Sequence, residues 1–429
     1  MKLTGEAGRE NRLTEYWSVG AIAGLRCPKC GQESSSRTEF RCANCNCVLE
    51  VNVDIGHLTR ADFDAMRNSR DRSIWRWLEF FPVGHRSSIV TLGEGDTPLI
   101  HARHLGELLD IPRLYLKNDT LLPTGSLKDR SNSVGISVAK ELGFRTASVM
   151  STGNAAASVA AYAGAAGMKS VVMVPAGTAP SKIIQARACG ATVIVVQGNF
   201  DDEVALLYRN AIEEFGWYDC LSSNPYRVGK KSYAYEIVDQ LDGQVPDWVI
   251  HPTAGGAGIN FMWQGFEEFV SLGWTDRLPK LVAAQSAMAA PIAAAFDKGL
   301  AEIKPVTARR TVAESIQVGN PSALGWRALA AVRASKGMAV ALNDEEILDA
   351  QSLQAGLAGI FAEPAACTSL AGAKKLRAAG MIDQGDLVVC NVTGHGLKQP
   401  EAIRIPEEEL RPISPNLAAL REELRRKER

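Results

Sequence analysis

The chain has 429 residues, 46% of them hydrophobic and 22% charged, enough apolar material for two or three domains with sizeable cores. Its 47 basic and 48 acidic side chains leave a formal net charge of −1, which gives no electrostatic footprint for nucleic acid or an anionic membrane and points to a small-molecule partner. No apolar run approaches ~18 residues, and the start MKLTGEAGRE lacks the apolar core of a signal peptide, so a cytoplasmic protein is expected.

Five of the nine cysteines fall between Cys27 and Cys47, in LRCPKCGQESSSRTEFRCANCNCVLEVNV. Two C-x-x-C pairs stand 11 residues apart, the spacing of a zinc ribbon. Thiolates three positions apart on a tight turn reach one tetrahedral ion at about 2.3 Å, and two such knuckles complete a four-thiolate site. Cys27, Cys30, Cys42 and Cys45 are the expected ligands of a structural zinc, with Cys47 able to exchange with Cys45. Four basic and four acidic residues between 24 and 55 speak against a nucleic-acid role, so a structural appendage is expected.

A charged, helical connector is expected over LTRADFDAMRNSRDRSIWRWLEFFPV, followed by a turn and an extended segment in LGEGDTPLI. PTGSLKDR then sets Lys128 three residues after a Pro-Thr-Gly turn, at the mouth of an apolar-periodic helix. Apolar β-branched runs at 146–150, 170–175 and 191–198 alternate with alanine-rich helical stretches, as do later runs at 247–252, 280–285 and 386–392. Such alternation predicts βαβ units in mostly parallel sheets, and two series of them predict two domains with a cleft between. Residues 296–310 have no clear period and read as a loop, and NLAALREELRRKER reads as an exposed charged helix or frayed tail.

Three glycine-containing turns follow strands. STGNAAAS offers Ser151, Thr152 and Asn154 with the free N–H groups of the next helix, a cradle for a carboxylate. TAGGAG, residues 253–258, is a backbone nest suited to phosphate, and TGHG, 393–396, ends the last buried strand. Each turn alone reads equally as an ordinary turn; ligands nevertheless collect at the C-terminal ends of strands in open α/β sheets. Lys128 at a helix start opposes the helix dipole, which an ordinary solvated lysine would avoid. An aldehyde cofactor would consume that amine as a Schiff base while its phosphate sits on a separate glycine nest, a description that fits pyridoxal phosphate.

LGEGDTPLI, PTGSLKDR, STGNAAASVAAYAG, NPYRVGKKS, IQVGNP, AEPAACTSLAG and TGHGLKQP occur in the order seen in the threonine synthase family of fold-type-II pyridoxal phosphate enzymes, which the chain resembles over residues of about 25 to 400. The Cys pairs also resemble an extension that many members carry. The resemblance implies two open parallel α/β domains of the tryptophan synthase β-like kind: 61–130 with 231–412 as the larger, cofactor-binding one and 131–230 as the smaller. They would be preceded by a zinc-ribbon-like segment, 1–60, and followed by a charged tail, 413–429.

It further implies Lys128 as Schiff-base lysine and proton shuttle, Asn154 beside the cofactor's phenolic oxygen, and Thr393 facing its pyridine nitrogen. The backbone of Thr253, Ala254, Gly255, Gly256, Ala257 and Gly258 would hold the cofactor phosphate, and Ser151 and Thr152 the substrate carboxylate. Ser222, Arg227 and Lys231 would form the substrate-phosphate pocket of a homodimeric enzyme making threonine from O-phosphohomoserine and water. The chain departs from the pattern at Ala155, usually Thr, and Gly255, usually Asn; both of those usual residues touch the leaving phosphate. The family's NPxRxEGQKT is also one residue shorter here, as NPYRVGKKS. The alternative is therefore a sister enzyme catalysing β-replacement or β-elimination on another amino acid or phospho-amino acid, of the cysteate synthase or dehydratase kind.

Overall fold

The computed structural model describes residues 22–34, 36–198, 203–221, 223–321, 323–403, 406 and 410–427. The first sheet is antiparallel, in the order β2-β1-β3, from β1 (Ile22–Arg26), β2 (Glu33–Ser34) and β3 (Glu50–Val53). Both Cys knuckles belong to it, each closed by a backbone bond, Gly31 to Cys27 at 2.9 Å and Asn46 to Cys42 at 2.8 Å. The segment is more than an appendage. Leu25, Cys27, Cys42 and Leu49 share one core with Trp77, Phe80, Phe266 and Leu329. The Arg327 guanidinium donates to the Val48 carbonyl and pairs with Glu50 at 3.0 Å, and the Tyr226 hydroxyl donates to the Arg37 carbonyl at 2.9 Å.

The connector forms a helix at Arg60–Arg67, started by a reciprocal Thr59/Asp62 capping box, and then a 3-10 turn at Ile74–Phe80. β4 (Leu99–His101) and β5 (Leu114–Asn118) open a second sheet. The chain leaves it to build a third, wholly parallel sheet from β6 (Thr146–Met150), β7 (Lys169–Pro175), β8 (Thr192–Val196) and β9 (Tyr218–Asp219), ordered β8-β7-β6-β9. It then returns with β10 (Trp248–Pro252), β11 (Lys280–Ser286), β12 (Met338–Leu342) and β13 (Val388–Val392). The completed sheet runs β12-β11-β10-β13-β5-β4, parallel except for β4 against β5.

All six expected strands form, with small shifts at their ends. β5, β9 and β12 were not expected, for two of which the physical reason is plain. LYLKN in β5 places Lys117 inside a buried strand, tolerable only because a distant residue neutralises it, and the alanine-rich MAVAL of β12 reads equally as helix. The expected loop at 296–310 is the end of a helix, Pro291–Asp297, followed by residues without regular structure, and the tail is the exposed helix Leu417–Lys427. Among the described residues no helix is long and apolar enough to cross a membrane.

Where the two parallel sheets meet, four fully buried charges neutralise one another. Arg130 pairs with Asp119 at 2.8 Å and Glu236 at 2.6 Å, and Glu236 also takes Lys117 at 2.6 Å. The remaining donors are used as well: Lys117 Nζ reaches the Thr97 carbonyl at 2.7 Å, Arg130 reaches Ser232 Oγ at 2.7 Å, and its guanidinium lies 4.5 Å over the Tyr233 ring. Burial alone would raise the Glu236 carboxyl, but the two cations prevail and hold it well below its usual range. Glu236→Gln leaves an uncompensated buried cation and should cost about 3–5 kcal/mol in denaturant unfolding. Because the native carboxyl is depressed, the difference from wild type should be full above pH 4.5 and shrink as the pH falls below it. An equal difference at every pH would show that the charge is not what matters.

Candidate active site

Both parallel sheets have a point where the strand order reverses. In the large sheet, β11 and β12 extend to one side of β10 while β13 lies on the other; in the small sheet, β7 and β8 extend to one side of β6 while β9 lies on the other. Loops leaving neighbouring strands diverge at such a point and open a crevice at the carboxyl ends of the strands. The three glycine turns singled out in the sequence leave β6, β10 and β13, the strands that flank these reversals.

Lys128 is the first residue of the helix Lys128–Glu141, whose start has no side-chain cap. Its neighbours hold it from both sides. Asp129 accepts from the Thr124 amide at 2.7 Å and the Thr124 hydroxyl at 2.6 Å, closing the PTGS turn, while Arg130 joins the buried charge cluster. The Leu127 amide donates to the Thr393 carbonyl at 2.9 Å and Ser126 bridges Gly394, so the loop after β13 runs against the loop before Lys128. Burial, then the charge of Arg227, pulls the Lys128 ammonium down to about 8, with Glu363 opposing.

The helix Asn154–Ala165 starts at Gly153 without a side-chain cap, leaving its first amides free beside the half-buried Ser151 and Thr152. Asn154 Nδ2 donates to both oxygens of Glu363, at 2.9 and 3.1 Å, and Ser315 Oγ donates to the same carboxylate at 3.0 Å. Burial raises the Glu363 carboxyl above its usual range despite those donors. The nest after β10 opens with the Thr253 amide on the Ala284 carbonyl at 2.7 Å, and Gln285 Nε2 reaches the carbonyls of Thr253 and Ala254 at 3.3 and 3.5 Å. Gly256 has φ +92°, and a Cβ there would stand 2.7 Å from that of Ala328; at Gly258 a Cβ would fall 1.9 Å from His251 Nε2. A Cβ at Gly255, by contrast, would meet nothing within 4 Å. The helix Ala257–Ser271 therefore presents uncapped amides on a backbone that only glycine permits.

These residues fit pyridoxal phosphate: an amine of lowered pKa, a nest of free amides and an asparagine converge, and two buried polar atoms nearby, Ser126 Oγ and Arg227 Nε, have no partner of their own. Residues 90–394 match the profile of the pyridoxal-phosphate dependent enzyme family. Threonine synthase of Methanocaldococcus jannaschii is 42% identical over 389 residues, 90% of this chain and 96% of that protein. Threonine synthase of Methanosarcina acetivorans is 40% identical over 401 residues, 93% of this chain and 98% of that one. The chain belongs to the threonine synthase family of pyridoxal-phosphate dependent enzymes. The fold agrees: maize serine racemase superposes with a TM-score of 0.61 at 18% identity, covering 78% of this chain and 94% of its own. Diaminopropionate ammonia lyase of Escherichia coli gives 0.62 at 16%, covering 80% and 91%.

Not every residue expected from the family pattern turns toward the crevice of this family member. Arg227 is buried and acts on Lys128, but Lys231 is engaged elsewhere, its ammonium on Glu268 at 2.5 Å. Ser222 lies outside the described residues. One side chain was missed. Glu363 stands before Pro364 at a helix start inside a stretch recognised only as a motif, and the Glu-Pro pair, an N-cap with proline at N1, was the available signal. In the ribbon, the Sγ atoms of Cys27, Cys30, Cys42 and Cys45 all lie within 4.8 Å of one another, with Cys47 outside the group. Thiolates around one tetrahedral ion stand roughly 3.8 Å apart, and the Cys27–Cys45, Cys30–Cys42 and Cys30–Cys45 separations are 3.4, 3.5 and 3.8 Å.

The depressed Lys128 has a pH consequence. Capture of pyridoxal phosphate by apoprotein needs the neutral amine, so its rate should rise with pH to a midpoint near 8 and not near 10.5. Arg227→Leu removes a cation that favours the neutral form and should move the midpoint upward; stopped-flow absorbance on both proteins checks this, and an unmoved midpoint would separate the two residues.

Proposed function

We propose that the chain converts O-phospho-L-homoserine and water to L-threonine and inorganic phosphate with pyridoxal phosphate as cofactor. The observation that carries this reading is Arg227, buried beside Lys128 with an unpartnered Nε, which suits a substrate with an anionic tail. The threonine synthases named above support it. The bound cofactor supplies an electron sink next to the substrate nitrogen.

This chain's residues do the rest. The amides opening Asn154–Ala165, with Ser151 and Thr152, receive the substrate carboxylate and fix its α carbon over Lys128. Lys128, neutral in a useful fraction near pH 8, takes and returns protons at its Nζ as phosphate leaves the γ carbon and water adds at the β carbon. Arg227 grips the departing phosphate through paired N–H donors. With the cofactor bound, the backbone amides of residues 253–258 would hold its phosphate, Asn154 would orient its ring, and the Thr393 hydroxyl would serve its nitrogen as a neutral partner. Glu363 accepts from Asn154 and steadies it.

We assign residues 61–130 with 231–412 and 131–230 to two domains closing on the crevice of a cytoplasmic homodimer. One structural zinc bound by Cys27, Cys30, Cys42 and Cys45 completes the proposal. One observation favours a second reading, elimination or replacement on a shorter amino acid: the space beside Gly255 is open, a Cβ there meeting nothing within 4 Å, and neither Gly255 nor Ala155, which follows Asn154, offers a polar side chain.

The deciding experiment incubates holoenzyme separately with O-phosphohomoserine, O-phosphoserine and threonine and measures phosphate, ammonia and new amino acids. Threonine and phosphate in equal amounts from the first substrate are expected; faster release of ammonia from threonine or serine would favour the second reading. Lys128→Ala should abolish turnover without altering circular dichroism, and Arg227→Ala should raise KM for the phosphorylated substrate at least about tenfold. Elemental analysis should find about one zinc per chain, lost in Cys42→Ser together with thermal stability; wild-type protein without metal would refute the zinc assignment.

A further inference from the structure

Seven lysines and arginines are buried in the described structure: Arg76, Lys117, Arg130, Arg227, Lys230, Lys231 and Arg327. Five of them have a carboxylate within ion-pair distance. The two without one, Arg227 and Lys230, are 8% and 5% exposed and stand three residues apart on one turn. Neither side chain makes a hydrogen bond among the described residues, and Arg227 Nε is sealed without an acceptor. Burial, and after it the cations Lys128 and Arg227, pushes the Lys230 ammonium well below the usual range. Asp219, the carboxylate acting on Arg227, is already taken by the Tyr208 and Ser223 hydroxyls and the Leu221 amide.

The backbone of the turn that carries Lys230 is tightly packed. Val228–Lys231 is wedged between the helix that starts at Lys128 and the helix that starts at Ala257. A Cβ at Gly229 would fall 1.7 Å from the Arg130 carbonyl, and one at Gly265 would fall 2.7 Å from the Lys231 carbonyl. Both helices present uncapped amino termini to the crevice, so the partial charges there are positive too. Two cations buried beside each other with no carboxylate within ion-pair distance are a large standing cost unless an anion arrives. His251, whose ring also feels Lys230, is held neutral by burial and supplies no counter-charge.

We propose that Lys230 is a phosphate-binding residue of the crevice and forms with Arg227 a doubly cationic seat for one phosphate dianion, that of the cofactor or that of the substrate. The inference rests on the reading of the crevice as a pyridoxal phosphate site for a phosphorylated amino acid. It also accounts for how a site with glycine at 255 and alanine at 155 retains a phosphate: charge replaces two polar contacts.

The test compares wild type with Lys230→Met, Lys230→Gln and Lys230→Arg. Apoprotein is titrated with pyridoxal phosphate and with pyridoxal, which lacks the phosphate, following fluorescence quenching; holoenzyme is titrated with inorganic phosphate, following the cofactor band; thermal melting is recorded without ligand. Loss of at least about tenfold in affinity for pyridoxal phosphate but not pyridoxal assigns the seat to the cofactor. The same loss for inorganic phosphate alone assigns it to the substrate; in both cases the arginine variant should recover most of the affinity. Removing an unpaired buried charge should leave the unliganded melting temperature unchanged or raised in the methionine and glutamine variants. Affinities for both phosphates within about twofold of wild type, or equal losses for pyridoxal and its phosphate, would overturn the proposal. Failure of wild-type protein to release phosphate from O-phosphohomoserine would instead refute the functional reading, and both titrations would still report on Lys230.

Discussion

The four-charge cluster of Lys117, Asp119, Arg130 and Glu236 is the constraint on which the crevice depends. It joins β5, the turn after it, the helix that begins at Lys128 and the helix Ser232–Gln240, elements from both sides of the inserted parallel sheet. Such a cluster is not a cheap source of stability, since desolvating four ions offsets most of their attraction. What it supplies is position. Arg130, with five donors in a rigid fork, reaches two carboxylates, two hydroxyls and an aromatic face only in one placement of its helix, and Lys128 lies two residues away.

From that anchor the remaining loops follow by contact. Leu127 is tied to Thr393 and the Gly125 carbonyl accepts from His395, which sets the loop after β13 beside the lysine. β13 pairs with β10, so the glycine nest is one strand away. Asn154 comes from the other sheet and meets Glu363 across the crevice. Charge is distributed unevenly: the cluster beside Lys128 is balanced, two cations against two anions, while Arg227 and Lys230 are buried with no ion pair among the described residues. The interior is balanced where it is packed and left electron-poor where a ligand is received.

The ribbon extends this arrangement. Its sheet is sewn into the main core through Leu25 and Leu49, its edge is held by Arg327, and Arg37 joins Glu141 at 2.8 Å and accepts the Tyr226 hydroxyl on its carbonyl. Tyr226 directly precedes Arg227. The ribbon thus buttresses the turn that carries both unpaired cations, which makes its structural role more than local.

Much of this was legible in the amino-acid sequence because it is local. Alternating β-branched and alanine-rich runs have one economical burial, in parallel strands with helices over them, and six strands form where those runs lie. C-x-x-C knuckles and glycine turns are short-range geometries, and the four cysteines of the knuckles meet as expected. Lys128 was recognisable because a cation at a helix start is locally unfavourable. Tertiary structure alone decided the rest. Which of Lys230 and Lys231 finds a carboxylate depends on the phase of a four-residue turn wedged between two helices, and Glu268 claims Lys231 from 37 residues away in sequence. β5 is a strand because Glu236 neutralises its buried lysine from a distant helix. Glu363 becomes part of the crevice only when Asn154, 209 residues earlier, is brought against it. Local pattern determines which backbone geometry a segment takes, but charge pairing is settled between segments, and only the folded chain says which ions remain without a partner.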